Sequence, residues 1–195
     1  MRPCKARAPS RGAPLGRAAP PTPRSTDIAI ATWDTLVSNP ELLTRYYTSI
    51  PPLEQVPLRS VHLSPYGPTL KLRLDLPRFA DTAPQEWVDA GCDRVECQVS
   101  FVATGELRMR GLPAGRRTDM THAPLDHRRL RVSLRGEGFE LDFTCADSLL
   151  VSHVNAYRSG DGDPYRARRR FGSRVDQLRY TALPDTTVKP FYDYP

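Results

Sequence analysis

An unbroken alternation of apolar and charged residues constrains this chain more than any other feature. Between Thr69 and Pro77 every second residue is leucine, and the residues between the leucines are Lys71, Arg73 and Asp75. Successive side chains of an extended strand point to opposite faces, so this segment predicts a strand with one apolar and one charged face. The apolar face needs a core, whereas the charged face can meet solvent, a substrate or another protein.

The same alternation returns in other segments that turn residues separate. These segments are 56–63, 95–101, 105–111, 130–134, 139–145 and 149–157. The pattern contains no strand–helix–strand repeat, and it predicts a mainly β fold: one antiparallel sheet system, a sandwich or a half-open barrel of about seven strands, preceded by a short helix. The stretch 114–128 lacks the alternation, and we expect an irregular loop there that competes as a recognition site.

Local signals add detail to this fold. The Asn-Pro-Glu sequence at 39–41 predicts a helix start with Asn39 as the capping residue. The apolar positions change parity at 59–60, which predicts a bulge in the first strand. Trp87 and Val88 lie in a long connection, and we expect both to pack under an edge of the sheet.

Charge divides the chain into three parts. Residues 1–26 carry six basic and no acidic residues, and residues 158–195 carry eight basic and five acidic residues. Of the 28 basic and 22 acidic residues in the chain, 14 and 17 remain for 27–157, a net charge of −3. We expect a disordered basic arm over 1–26, a single β-rich domain over 27–157, and a mostly disordered arginine-rich tail over 158–195 with one short helix near 175–180.

No motif for catalysis, metal binding or a cofactor stands out. The sequence lacks G-x-S-x-G, H-E-x-x-H, G-x-G-x-x-G and phosphate-loop patterns. Cys92 and Cys97 are too far apart for a C-x2-C zinc knuckle, so we expect no metal and no cofactor. Glu140 and Asp142 share a strand face at about 7 Å, a spacing that could suit a hydrolase. We expect these carboxylates to be ordinary surface charges and His153 to be a packed or rim histidine, and we predict no catalytic residue.

The charged face of the predicted sheet is the main candidate for a functional surface. If it only meets solvent, its cross-strand ion pairs contribute about 0.2–1 kcal/mol each. If it meets a protein, the same charges set partner choice and association rate. The residues predicted for partner binding are Lys71, Arg73, Asp75, Glu96, Arg108, Arg110, Arg131, Arg135, Glu140 and Asp142. Because 27–157 is mildly acidic, this mixed face is not a cationic groove for nucleic acid.

The order of these features resembles immunity protein 50, a family encoded beside bacterial polymorphic toxins. The resemblance rests on Trp33 before N-P-E, a P-P-L-E step at 51–54, a V-x-L-x-S-V-x-L strand, a G-P-T turn into the leucine strand, and Trp87 before R-V-x-x-Q-V-x-F. It spans residues 30–157 approximately. It implies a small, β-rich, non-enzymatic, cytoplasmic protein that neutralises one toxin by binding it, but it names neither the toxin nor any catalytic residue.

Two other interpretations stay open. The arginine-rich ends, including the run at 166–174, could bind nucleic acid, or the chain could be a β-rich protein with an unknown interaction role. No apolar run of about 18 residues predicts a membrane span, and scattered thiols fit a reducing cytoplasm. We therefore expect a cytoplasmic monomer or weak dimer whose partner is a cognate toxin, with no membrane and no nucleic acid involved.

Overall fold

The computed structural model describes residues 32–64, 67–113, 115–160 and 166–180, together with 182 and 184. Its strands are β1 (Val56–Ser64), β2 (Thr69–Asp75), β3 (Arg94–Phe101), β4 (Gly105–Arg110), β5 (Arg117–Leu125), β6 (Arg129–Gly136), β7 (Phe139–Ala146), β8 (Leu149–Tyr157) and β9 (Arg170–Phe171). Its helices are a 3₁₀ turn (Trp33–Leu36), α1 (Glu41–Thr44), α2 (Gln85–Asp89) and α3 (Arg174–Arg179). Within the described residues the nine strands form one antiparallel sheet in the order β4-β7-β6-β5-β1-β2-β3-β8-β9. The predicted fold class is confirmed, with two more strands than the alternation indicates.

A short connection forces this sheet to curl. Strands β3 and β4 stand six positions apart in the sheet, about 29 Å along a flat one. Residues 102–104 alone join them, and such a link spans at most about 14 Å. The sheet therefore bends until β7 meets the end of β3. The rings of Phe101 and Phe143 contact edge to face at 5.0 Å, and the Ala146 N–H donates to the Val102 carbonyl at 3.0 Å.

The hydrophobic core lies inside the curl. The leucines of the alternating segment are among its most buried members, at 0–1% exposure: Leu70, Leu72, Leu74 and Leu76. They join apolar side chains from β3, β6, β7 and β8 in one cluster. Burying each such side chain contributes about 1.5–3 kcal/mol before the entropy cost of ordering the chain. The apolar half of the opening prediction is confirmed.

Of two predictions made for the start of the sheet, one is confirmed and one is wrong. The register of β1 against β2 shifts between Leu58 and Ser60, which confirms the predicted bulge. The prediction that Asn39 caps α1 is wrong, because its side chain binds β8 instead. Its amide donates to the Val151 carbonyl at 2.7 Å and its carbonyl oxygen accepts from the Val151 N–H at 2.9 Å. Asn39 thus ties the segment before α1 to the sheet.

The connection between β2 and β3 packs through one aromatic residue. Trp87 is fully buried, as predicted, and its ring stacks on that of Tyr46 at 4.7 Å. Val88 is 54% exposed, so its predicted burial is wrong. Adjacent residues on a helix point in different directions, and the short α2 turns only the tryptophan toward the core.

Strand β5 corrects the expectation that 114–128 is irregular. It pairs with β6 from Thr118 opposite Gly136 to Leu125 opposite Arg129. Thr118 is the one fully buried residue of this strand. The segment therefore shows no apolar alternation, and its strand conformation comes from backbone pairing with β6.

Residues after 157 also add to the sheet. Strand β9 pairs with β8 through Asn155 opposite Phe171, and the predicted helix near 175–180 is confirmed as α3. Gly172 follows β9 and packs so tightly that a Cβ atom there would lie 2.2 Å from the Tyr46 hydroxyl oxygen. The predicted arm over 1–26 and the last residues of the chain lie outside the described part. The division of the chain into one domain and two tails stays a prediction.

Candidate partner-binding surface

The fold splits the polar face of the sheet into a buried half and an exposed half. On the buried half, the register sets Arg73 opposite Gln98 and Asp75 opposite Glu96. Lys71, Arg73, Asp75 and Glu96 expose only 1–7% of their surface. The expectation that these four predicted residues face outward is therefore wrong, since other parts of the chain cover them. Their participation in partner binding stays a prediction.

Asp75 is held by side chains from two other strands. Arg59 of β1 forms an ion pair with its Oδ2 atom, and the Tyr157 hydroxyl of β8 donates to the same oxygen at 2.7 Å. Arg59 also donates to the Tyr157 oxygen at 2.8 Å. Burial and the Asp75 carboxylate raise the pKa of Tyr157, so the phenol stays protonated and remains a donor. Burial lowers the pKa of Arg59, but the bond to Asp75 outweighs it and the net shift is upward.

The contacts of Glu96 show how the C-terminal segment covers the buried half of the polar face. Its Oε1 atom lies 3.8 Å from Arg73 Nε, and its Oε2 atom lies 3.3 Å from Nη2 of Arg169, in the segment just before β9. The Arg169 guanidinium also stacks 4.0 Å from the centre of the Tyr157 ring. Burial raises the pKa of Glu96, and both arginines oppose that shift. The C-terminal segment is thus fastened to the sheet through buried charges.

His153 belongs to the same packed region. It is 2% exposed, its Nδ1 atom lies 3.2 Å from Asp176 Oδ1 on α3, and its ring meets Tyr180 edge to face at 5.6 Å. The interpretation of His153 as a packed histidine is confirmed. Its contacts with Asp176 and Tyr180 hold α3 against β8, which is a packing role.

The exposed half lies on β4, β7, β6 and β5 and holds the remaining predicted residues. We name these six residues the outer face: Arg108, Arg110, Arg131, Arg135, Glu140 and Asp142. The register places Arg108 opposite Asp142, and Glu140 between Arg110 and Arg135. Directly opposed residues of an antiparallel pair share one side of the sheet. The structure therefore brings these six predicted residues together on one surface.

Part of the outer face is already fixed by internal contacts. Arg135 Nη2 donates to both carboxylate oxygens of Asp142, at 2.7 and 2.8 Å, and Ser133 Oγ donates to one of them at 2.6 Å. These bonds lower the pKa of Asp142. Arg131 pairs with Glu106 of β4 at 2.9 Å. The charges on β6 and β7 are thus held in place before any partner arrives.

The other three side chains of the outer face have no internal polar partner. Arg108 and Arg110 of β4 and Glu140 of β7 are exposed, and within the described residues their side chains make no hydrogen bond or ion pair. Two guanidinium groups therefore stand free at the edge of a mixed-charge surface.

The bonds to Asp142 also matter for the alternative that Glu140 and Asp142 form a hydrolase site. A carboxyl group acting as general acid needs a raised pKa so that it holds a proton near neutral pH. The bonds from Arg135 and Ser133 do the opposite to Asp142 and keep it ionised. The pair of Glu140 and Asp142 is therefore better suited to electrostatic contact than to proton transfer.

The residues predicted for partner binding include neither Glu106 nor Arg169. Glu106 follows the turn after β3 and has a positive φ of 48°, at the irregular start of β4. For Arg169 a signal exists: Ala167, Arg169 and Phe171 are buried while the residues between them are not. This alternation is hard to recognise in the sequence, because one of the three buried residues is an arginine within a basic run. Because Arg169 is buried, the run is not uniformly solvated, and nucleic-acid binding by the ends stays an alternative interpretation.

Two clefts lie beside strand β5. One, of about 560 Å³, is lined by Arg116, Arg117, Asp119 and Arg135 among others, so it continues the outer face. The other, of about 520 Å³, is more apolar and lies between the 3₁₀ turn and β5. Both use residues of β5, the segment first expected to be a recognition loop.

Neither a metal centre nor a membrane segment is found in the ranges that the structure describes. Over those ranges, no group of three His, Cys, Asp or Glu side chains could hold a metal ion. Among the helices of the same ranges, none combines the length and the apolar character that a bilayer crossing requires.

Together the fold and the outer face define a small antiparallel β protein that presents a mixed-charge sheet face. Residues 39–157, more than half of the chain, match the family model for immunity protein 50. The chain belongs to the immunity protein 50 family, which confirms the resemblance seen in the sequence and implies toxin neutralisation. No curated protein and no solved structure matches the chain.

Proposed function

We propose that this protein binds a cognate polymorphic toxin in the cytoplasm of the producing cell and neutralises it without catalysing a reaction. Membership of the immunity protein 50 family is the observation that carries this proposal. The outer face is the proposed binding surface, because it gathers six predicted residues on one exposed part of the sheet.

The charge arrangement of the outer face supports a protein partner with an acidic patch. Arg135 and Asp142 neutralise each other and Arg131 pairs with Glu106, so Arg108 and Arg110 against Glu140 leave a net positive charge. Complementary charge of this kind speeds association and excludes wrong partners more than it adds affinity. Charges held in place before binding also reduce the entropy cost of association.

Co-expression with the toxin encoded beside its gene tests the proposal. We expect the full chain to restore growth of toxin-producing cells and to co-purify with the toxin. Absence of both rescue and complex would refute the proposed function.

Charge-reversal variants test the surface. We expect Arg131→Glu with Arg135→Glu to weaken rescue, because reversed charges repel an acidic patch. The matched control is Arg45→Glu with Arg174→Glu, which changes the net charge equally at exposed positions outside the outer face. Equal rescue by both double variants, at equal thermal stability, would remove the outer face from the proposal.

A further inference from the structure

Strand β4 is an open edge of the sheet. Its partner is β7, and no backbone hydrogen bond among the described residues reaches its other side. Of its six residues, the last five are exposed. An edge of this kind presents unpaired N–H and C=O groups that can template another strand.

The opposite edge of the sheet is not comparable. Strand β9 has two residues, Arg170 and Phe171, and α3 begins at Arg174, after two intervening residues. A very short edge strand beside a helix is a common protection against pairing with another chain. β4 is three times as long, and its surface is far less covered.

The two faces of the β4 edge differ in chemistry. Leu107 and Met109 are 39% and 50% exposed, and Leu112, just beyond the strand, is 71% exposed. Arg108 and Arg110 lie on the outer face, and their side chains make no hydrogen bond or ion pair within the described residues. A strand that alternates apolar and acidic residues would match both faces, since directly opposed side chains of paired strands lie about 4.5–5.5 Å apart.

The arginines also disfavour a second copy of this chain as the occupant. Antiparallel pairing of two β4 edges would bring the Arg108 and Arg110 groups of both copies together. Like charges across a strand pair are destabilising, and charges on an edge are a common device against self-association.

We propose that the toxin adds an extended segment with alternating acidic residues to the open edge of β4, with its carboxylates facing Arg108 and Arg110. This inference rests on the proposed function and specifies how the toxin is held. Backbone pairing would supply affinity, and the alternate side chains would supply specificity.

Hydrogen–deuterium exchange of the full chain, alone and with the purified toxin, tests this mode. We expect the amides of 105–110 that point away from β7 to exchange about tenfold or more slowly in the complex, because the carbonyl groups of an added strand accept hydrogen bonds from them. A complex that forms without this protection would overturn the inference and leave the proposed function standing. Failure to form any complex would instead refute the proposed function.

Charge reversal gives an independent measurement. Arg108→Glu with Arg110→Glu is expected to raise the Kd for the toxin about tenfold, because two favourable cross-strand pairs become repulsive. The control, Arg45→Glu with Arg174→Glu, is expected to leave the Kd unchanged. Both changes lie at exposed positions, and matching thermal transitions verify folding. An equal Kd for the two variants would contradict the proposal.

Discussion

Replacing Arg169 with alanine should loosen the C-terminal segment from the sheet. In the wild type, Arg169 is 4% exposed, lies 3.3 Å from Glu96, donates to Asn155 and stacks on Tyr157. The substitution leaves the buried Glu96 carboxylate facing Arg73 at 3.8 Å as its remaining arginine. Breaking a buried pair by removing one partner costs about 3–5 kcal/mol, so we expect a loss of that order in the free energy of unfolding.

Urea denaturation followed by tryptophan fluorescence measures this loss, since Trp87 is buried in the core. Arg168→Ala is the matched control: this neighbouring arginine is exposed, and its removal should change stability by no more than about 0.5 kcal/mol. Adding Glu96→Gln to Arg169→Ala should restore part of the stability, because the unpaired charge is gone. A loss for Arg169→Ala as small as that of the control would refute the view that buried charges fasten this segment.

Three further changes probe the rest of the structure. Tyr157→Phe removes a buried donor to Asp75, so we expect a loss of about 1.5–3 kcal/mol in urea denaturation; an unchanged midpoint would contradict that role. Gly111→Ala should lower the melting temperature in calorimetry more than Gly67→Ala. Both glycines have positive φ, but a Cβ at Gly111 would lie 2.1 Å from the Gly138 carbonyl oxygen, whereas Gly67 has open space; equal shifts would argue against the clash. Asp142→Asn should cost about 1 kcal/mol or less at pH 7. Because the pKa of Asp142 is lowered from 3.8, the wild-type advantage is complete above pH 3.8 and disappears as the pH falls through the folded pKa; a difference that grows toward low pH would contradict this sign.

The apolar half of the fold was predictable because its signal is local. Leucines at every second position between Thr69 and Pro77 can share a face only in an extended strand, and the structure buries them all. The bulge at 59–60 was predictable for the same reason, since a change of parity needs an extra residue. Six of the ten predicted site residues also meet on one exposed surface, because core-facing positions set the register of β6 against β7, and β4 pairs with β7.

The polar half was not predictable from alternation, because a charged side chain gives the same pattern whether it meets water or a buried partner. Arg73 and Glu96 look like solvent-facing residues until Arg169, more than 70 positions later, is seen to contact Glu96. Strand β5 was missed for a related reason: it relies on pairing with β6 and buries little apolar surface. Long-range pairing leaves no periodic signal in the sequence of such a segment.

Titration of the purified toxin with this protein tests the central claim most directly. If the chain neutralises its toxin by binding, the toxin's activity should fall in proportion to added protein and vanish at equimolar amounts, while the immunity protein itself is recovered unchanged. Full toxin activity in the presence of a large excess of the folded chain would contradict the account.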